Sequence, residues 1–169
     1  MALITKDRKI ASDHWRLLKP GADGSLPAVP AAGDVIVPLA VWQAQRGWLR
    51  ARNGRVGVWL DSHEEAAALE KDLEHLPVIA VNFPKFSDGR GYSTARLLRD
   101  RYGWKGELRA IGDVFRDTLF HLQHCGFDAF ELRAGEDPQE ALSAFGTFSD
   151  TYQATVEQPS PLFRRRQAV

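Results

Sequence analysis

The sequence predicts an α/β fold organised on a mainly parallel sheet, and three observations carry that expectation. Five short apolar runs, Val35–Val37, Val56–Leu60, Val78–Phe83, Glu107–Val114 and Asp128–Leu132, recur at intervals of roughly 20 to 30 residues. Helical patterns with recognisable caps and stops fill the intervals. The runs are nearly continuous in apolar character, as expected of strands covered on both faces. Right-handed crossovers then leave two architectures for about five strands: an open doubly wound sheet or a partial (β/α) barrel. Five units cannot close an eight-stranded barrel, so a partial barrel needs the N-terminal segment or a second copy of the chain over its open side.

Taken in order, residues 1–33 read as a strand and loop arm. Asp13–Pro20 is a short strand, and Gly21–Gly33 is a surface loop rich in Pro, Gly and Ala. The α/β domain spans 34–155. Pro38 suits the first helical position, Leu39, Trp42 and Leu49 lie at helical spacing, and Asn53-Gly54 stops that helix. Asp61-Ser62 is expected to cap a helix over His63–Leu76, whose early acids and Ala-rich body favour it. Further helices are expected over Tyr92–Gly103, Phe115–Gly126 and Asp137–Tyr152, the last with Asp137 as cap and Pro138 in its first turn. Residues 156–169 form a tail in which two prolines argue against a helix.

Composition narrows the function classes. At 169 residues the chain suits one domain with a real core. Its 22 basic and 22 acidic residues balance, which counts against nucleic acid as a partner. Cys125 is the sole cysteine, so no internal disulfide forms and a Cys-based zinc site is not expected. No apolar run is long enough to span a bilayer, and the first residues are too short and polar for a signal peptide, so a cytoplasmic protein with no membrane partner is expected. The surplus of Trp and Phe is compatible with a homodimer.

In either architecture ligands bind beyond the carboxyl ends of the strands. That rule selects Asp61, Ser62 and His63 after the second strand and Asn82, Lys85, Asp88, Arg90 and Tyr92 after the third. It adds Asp113 and Arg116 after the fourth and Arg133 after the fifth. Guanidinium groups beside carboxylates suit a small anion such as phosphate, sulfate, sulfite or a carboxylate. In the third loop Gly89 and Gly91 allow positive φ and leave N–H groups uncovered, and Ser93 or Thr94 opens a helix. The bland alternative is an Asp88-Gly89 turn with Arg90 paired to Asp88, because "DGRG" matches no phosphate loop or dinucleotide fingerprint. His121 and Cys125 are four residues apart on one helix, near His124, but no fourth metal ligand is evident, so no metal site is assigned. "HEEAA" lacks the second histidine of a zinc-protease motif. Trp42, Trp48 and Trp59 read as core or interface aromatics. The tail presents Leu162 and Phe163 as an apolar hook beside Arg164, Arg165 and Arg166, a pattern suited to docking on a partner.

The run "FPKFSDGRGYSTARLLRDRYGWKGELRAIGDVFRDTLFHLQHCGFDAFELR" (Phe83 to Arg133), with Tyr152-Gln153 and "PLFRRR" from Pro161, resembles the bacterial family DUF934. Members of that family are described as oxidoreductases linked to sulfite reduction, and no catalytic residues carry over from it. The residues assign no cofactor. A nicotinamide or flavin site should show a fingerprint that is missing here, and one Cys cannot hold the iron–sulfur cluster of a sulfite reductase. The resemblance therefore implies an accessory protein of assimilatory sulfate or sulfite reduction, binding a small anion or docking on the reductase. In the first case Arg90 and Arg133 would hold the anion, Lys85, Asp88, Tyr92 and Arg116 would surround it, and Asp113 would orient one Arg or act as a base. An oxidoreductase borrowing a nicotinamide or flavin cofactor, and an interaction module without catalytic activity, are the alternatives.

Overall fold

The computed structural model describes residues 2–146 and 151–165. Among them eight strands form one curled, mostly parallel sheet, a half-barrel. The strands are β1 (Leu3–Thr5), β2 (Lys9–Ala11), β3 (Arg16–Leu17), β4 (Val35–Pro38), β5 (Val56–Leu60), β6 (Val78–Phe83), β7 (Glu107–Gly112) and β8 (Ala129–Glu131). Their spatial order is β2-β1-β8-β7-β6-β5-β4-β3. From β3 to β8 every neighbouring pair is parallel, whereas β1 lies antiparallel to β8 and β2 antiparallel to β1. The five expected strands are present, and three short ones from the N-terminal arm extend the sheet at both edges.

The order decides between the two architectures left open by the sequence. A doubly wound sheet reverses direction at a switch point, and this one never does. With right-handed crossovers, a monotonic order sends every connection to the same face. Burial agrees. Val35, Val37, Val58, Leu60, Ile79, Val81, Phe83, Leu108, Ala110 and Phe130 share one core with residues from the connecting helices. The intervening positions Ile36, Val78, Ala80 and Ile111 form a separate cluster on the concave face.

The connections are α1 (Leu39–Ala51), α2 (Arg90–Arg96), α3 (Arg116–His124) and α4 (Pro138–Leu142), with one further turn of helix, α5 (Leu162–Arg165), in the tail. α1 follows Pro38 as expected and buries Val41, Trp42 and Leu49. Trp48 on the same helix is exposed, and Trp59 is half-buried on the concave face. α2 begins at Arg90, earlier than Ser93 or Thr94, and runs into a wider turn over Leu97–Arg101. α4 is capped by Asp137, whose carboxylate accepts from the N–H groups of Gln139 and Glu140. The expected helix to Tyr152 passes into a 3₁₀ turn over Ser143–Gly146 and then leaves the described residues. α5 corrects the expectation of a non-helical tail, because Pro161 precedes its first residue and so costs it no hydrogen bond.

The helix expected over His63–Leu76 is not there. Two 3₁₀ turns, Ala66–Leu69 and Leu73–His75, replace it. Ala66, Leu69 and Asp72 are buried at a spacing of three, the 3₁₀ repeat. Asp72 is drawn inward because its Oδ2 accepts from Trp42 Nε1 at 3.0 Å and pairs with Arg46 at 3.0 Å. A regular α-helix would carry that carboxylate around toward solvent, so this tertiary pairing overrides a favourable helical composition.

The concave face is covered by the chain's own N-terminal segment, which passes from β2 on one edge to β3 on the other. Trp15 and Leu17 pack on the concave cluster. Arg109 Nη1 donates to Asp13 Oδ2 at 2.8 Å, and Trp59 Nε1 donates to the Leu18 carbonyl at 2.9 Å. The segment is thus a strap fastened to the middle of the sheet.

Candidate functional site

Three groups of polar side chains bear on function: the rim at the carboxyl ends of the strands, the concave face under the strap, and the outer side of α3. At the rim, Asn82 Nδ2 donates to Asp61 Oδ1 at 2.9 Å. Arg90 sends Nε to Asp88 Oδ1 at 2.9 Å and Nη2 to both Asp88 Oδ2 at 2.6 Å and Ser62 Oγ at 3.0 Å. Arg133 Nη1 donates to Asp113 Oδ1 at 2.9 Å and its Nε to Glu136 Oε1 at 3.0 Å. Asp113 Oδ2 also accepts from the Phe86 N–H at 3.0 Å, which links the loops after β6 and β7. The Arg133 guanidinium lies 4.3 Å from the centre of the Phe115 ring.

The rim therefore brings together Asp61, Ser62, Asn82, Asp88 and Arg90 in one hydrogen-bonded set, and Asp113, Arg133 and Glu136 in another. Each named guanidinium already holds a carboxylate. Arg90 keeps Asp88 ionised far below the usual carboxylate range, and Arg133 lowers Asp113 in the same way. Arg116 Nη1 lies 3.7 Å from Glu140 rather than among the other cations. Lys85 is exposed on the loop after β6. Tyr92 is elsewhere: its ring packs on Phe83 at 5.1 Å and on His121 at 4.5 Å, on the helix-bearing side of the sheet. Burial raises its hydroxyl pKa.

Neither glycine of this loop adopts the expected positive φ, and Gly91 serves packing instead. Gly89 has a helical φ of −78°. Gly91 is buried, and a Cβ there would stand 2.6 Å from Phe83 Cζ, so it lets the start of α2 approach the sheet.

The concave face holds residues the sequence reasoning passed over. Arg109 is buried, with Nε and Nη2 on Glu107 Oε1 at 2.9 and 2.8 Å and Nη1 on Asp13. Glu131 is 8% exposed, and its carboxylate has no hydrogen bond or ion pair among the described residues. Their signal was present in the sequence: in "ELRAIG" the charged Glu107 and Arg109 alternate with apolar residues, marking a polar face on one strand.

Burial raises the Glu131 pKa, against the smaller opposing influences of Lys19 and Arg109. The folded chain therefore holds this proton above the ordinary value of 4.5, and the unfolded chain releases it there. The stability tied to that proton is complete below pH 4.5 and is lost as pH rises through the folded pKa. Urea unfolding of Glu131→Gln is expected to match the parent at about pH 4 and to exceed it at about pH 7.5. Parallel pH profiles for the two proteins would show that Glu131 is not penalised by burial.

On the outer side, Cys125 is buried, with Sγ 3.9 Å from His121 Nε2. His124 Nδ1–H donates to the Phe120 carbonyl at 2.6 Å. No group of three His, Cys, Asp or Glu side chains that could hold a metal occurs among the described residues. The tail folds back beside this region. The Leu162 N–H donates to the Tyr152 carbonyl at 3.2 Å, the Tyr152 and Phe163 rings lie 6.3 Å apart, and Arg164 sits 5.8 Å from the Phe163 ring. Tyr152 and Phe163 are 67% and 50% exposed. Arg165 Nη2 donates to the Thr151 carbonyl at 3.2 Å, and Arg166 lies outside the described residues.

No helix among the described residues is long and apolar enough to cross a membrane. No curated protein matches the chain. The model of one family, described as "Bacterial protein of unknown function (DUF934)", matches residues 57–163, from β5 through the exposed Phe163. That span is more than half of the chain and contains the rim and the Tyr152–Phe163 ring pair, and so this protein belongs to the DUF934 family.

Proposed function

We propose that this protein is an accessory component of assimilatory sulfate or sulfite reduction that docks on the reductase through its C-terminal segment. The observation that carries the docking reading is the exposed Tyr152–Phe163 ring pair, held by the Leu162–Tyr152 backbone bond and flanked by Arg164. Aromatic and Arg side chains are the anchors that protein interfaces favour. The flanking guanidinium groups suit an acidic patch on the partner. The rim supports direct anion capture less well, because Arg90 and Arg133 already hold carboxylates that an incoming anion would have to displace. The sulfur assignment rests on the role ascribed to members of the family.

Two measurements test the two halves of the proposal. A strain lacking the gene is expected to fail on sulfate or sulfite and to grow on sulfide or cysteine; normal growth on all four removes the sulfur assignment. The tagged protein is expected to retain assimilatory sulfite reductase on purification, and removal of residues 161–169 or the pair Tyr152→Ser and Phe163→Ser to release it. Undiminished recovery with both variants would rule out docking through this segment.

A further inference from the structure

Between α2, α3 and residues 151–155 lies a cavity of about 620 Å³, away from both the rim and the concave face. Ligand pockets commonly measure about 300–1,000 Å³. Phe120 and Tyr152 give it aromatic walls, and Ala154 leaves one side open in space. His121 and Cys125 offer it weak polar groups. Burial pushes the His121 pKa down and the Cys125 pKa up, which favours the neutral form of each. The lining Arg96 has its Nε on Asp100 Oδ2 at 2.8 Å.

These features select the occupant by charge. An anion entering here would lose hydration and find the Arg96 guanidinium already paired with Asp100. A flat neutral molecule would stack on the rings and still find the imidazole and thiol for one or two hydrogen bonds. We propose that the cavity is a binding site for a small uncharged aromatic ligand, held between α3 and the 151–155 segment. The cavity shares Tyr152 with the proposed docking surface, and measurements on the isolated protein test the site without the reductase.

Cys125 is the sole thiol of the chain and lines the cavity, which makes occupancy measurable. The probe is 2-naphthol, with naphthalene-2-sulfonate as its anionic counterpart. The neutral probe is expected to bind saturably, read by its own fluorescence, and to slow alkylation of Cys125 by N-ethylmaleimide about tenfold at ten times its Kd. The sulfonate is expected to do neither. Ala154→Trp should fill the cavity from an exposed position and abolish both effects, and Gln153→Trp provides a second filled variant, with circular dichroism to confirm folding. Absence of saturable 2-naphthol binding, equal binding of the sulfonate, or unchanged binding in the folded filled variants would overturn the proposal.

Discussion

Arg99→Met is expected to destabilise the protein by about 4 kcal/mol, a fall in Tm of about 10 °C for a domain of this size. The side chain is 8% exposed and serves four acceptors. Nε donates to the Gly126 carbonyl at 3.0 Å, and Nη1 donates to the carbonyls of Trp104 and Gly106 at 2.8 and 2.9 Å. Nη2 donates to Asp128, which also accepts from Lys6 at 2.9 Å and from the Leu108 N–H at 3.0 Å. One guanidinium thus ties the end of α2, the entry to β7 and the entry to β8. Methionine keeps much of the volume and none of the donors, and each buried carbonyl left bare costs about 1–3 kcal/mol. Lysine is expected to restore only part of the loss, because a point ammonium cannot reach acceptors spread around a planar fork. Gly126→Ala probes the same joint from the other side: its φ is +101° and a Cβ would meet Arg99 Cγ at 2.7 Å. A thermal shift of less than about 3 °C for Arg99→Met would show that water replaces these bonds without penalty.

Arg109→Met is expected to cost about 2–3 kcal/mol, less than the ~3–5 usual for breaking a buried ion pair. The discount follows from the partners: Asp13 and Glu107 keep 29% and 35% of their side-chain surface exposed, so water can take them back. The larger consequence is local. Without Nη1 the strap loses its fastening at Asp13, and Trp15 loses the support that holds it on the concave cluster. Amide exchange in residues 12–18 is expected to rise well above that of β6 and β7. A double-mutant cycle with Asp13→Asn isolates the pair. Independent, additive effects of the two substitutions would show that the Arg109–Asp13 pair does not fasten the strap.

How much of this was legible in the sequence depends on the range of the interaction that decides each feature. The central strands could be read because their apolar runs and intervening caps are local. β1 and β2 could not, since three residues such as Leu3–Thr5 become a strand only by pairing with β8. The choice between a doubly wound sheet and a half-barrel was equally out of reach, because strand order is a property of distant contacts. The composition of His63–Leu76 spoke for a helix, and the pull of Trp42 and Arg46 on Asp72 decided otherwise. At the rim, Asp61, Asn82, Asp88 and Arg90, all picked out by strand-end topology, lie in one hydrogen-bonded set. It misplaced Tyr92, whose position just inside α2 turns it toward Phe83. Arg109 and Glu131 escaped because a rule that looks past the ends of strands ignores the strands themselves.

The register between Leu3 and Glu131 carries a consequence for biosynthesis. A ribosome makes the first strand long before the last one that can receive it. Until β8 emerges, the growing polypeptide carries β1 and β2 with no sheet edge to pair on. The parallel strands should therefore assemble before β1 joins the edge that β8 offers, leaving the window for misassembly late in translation.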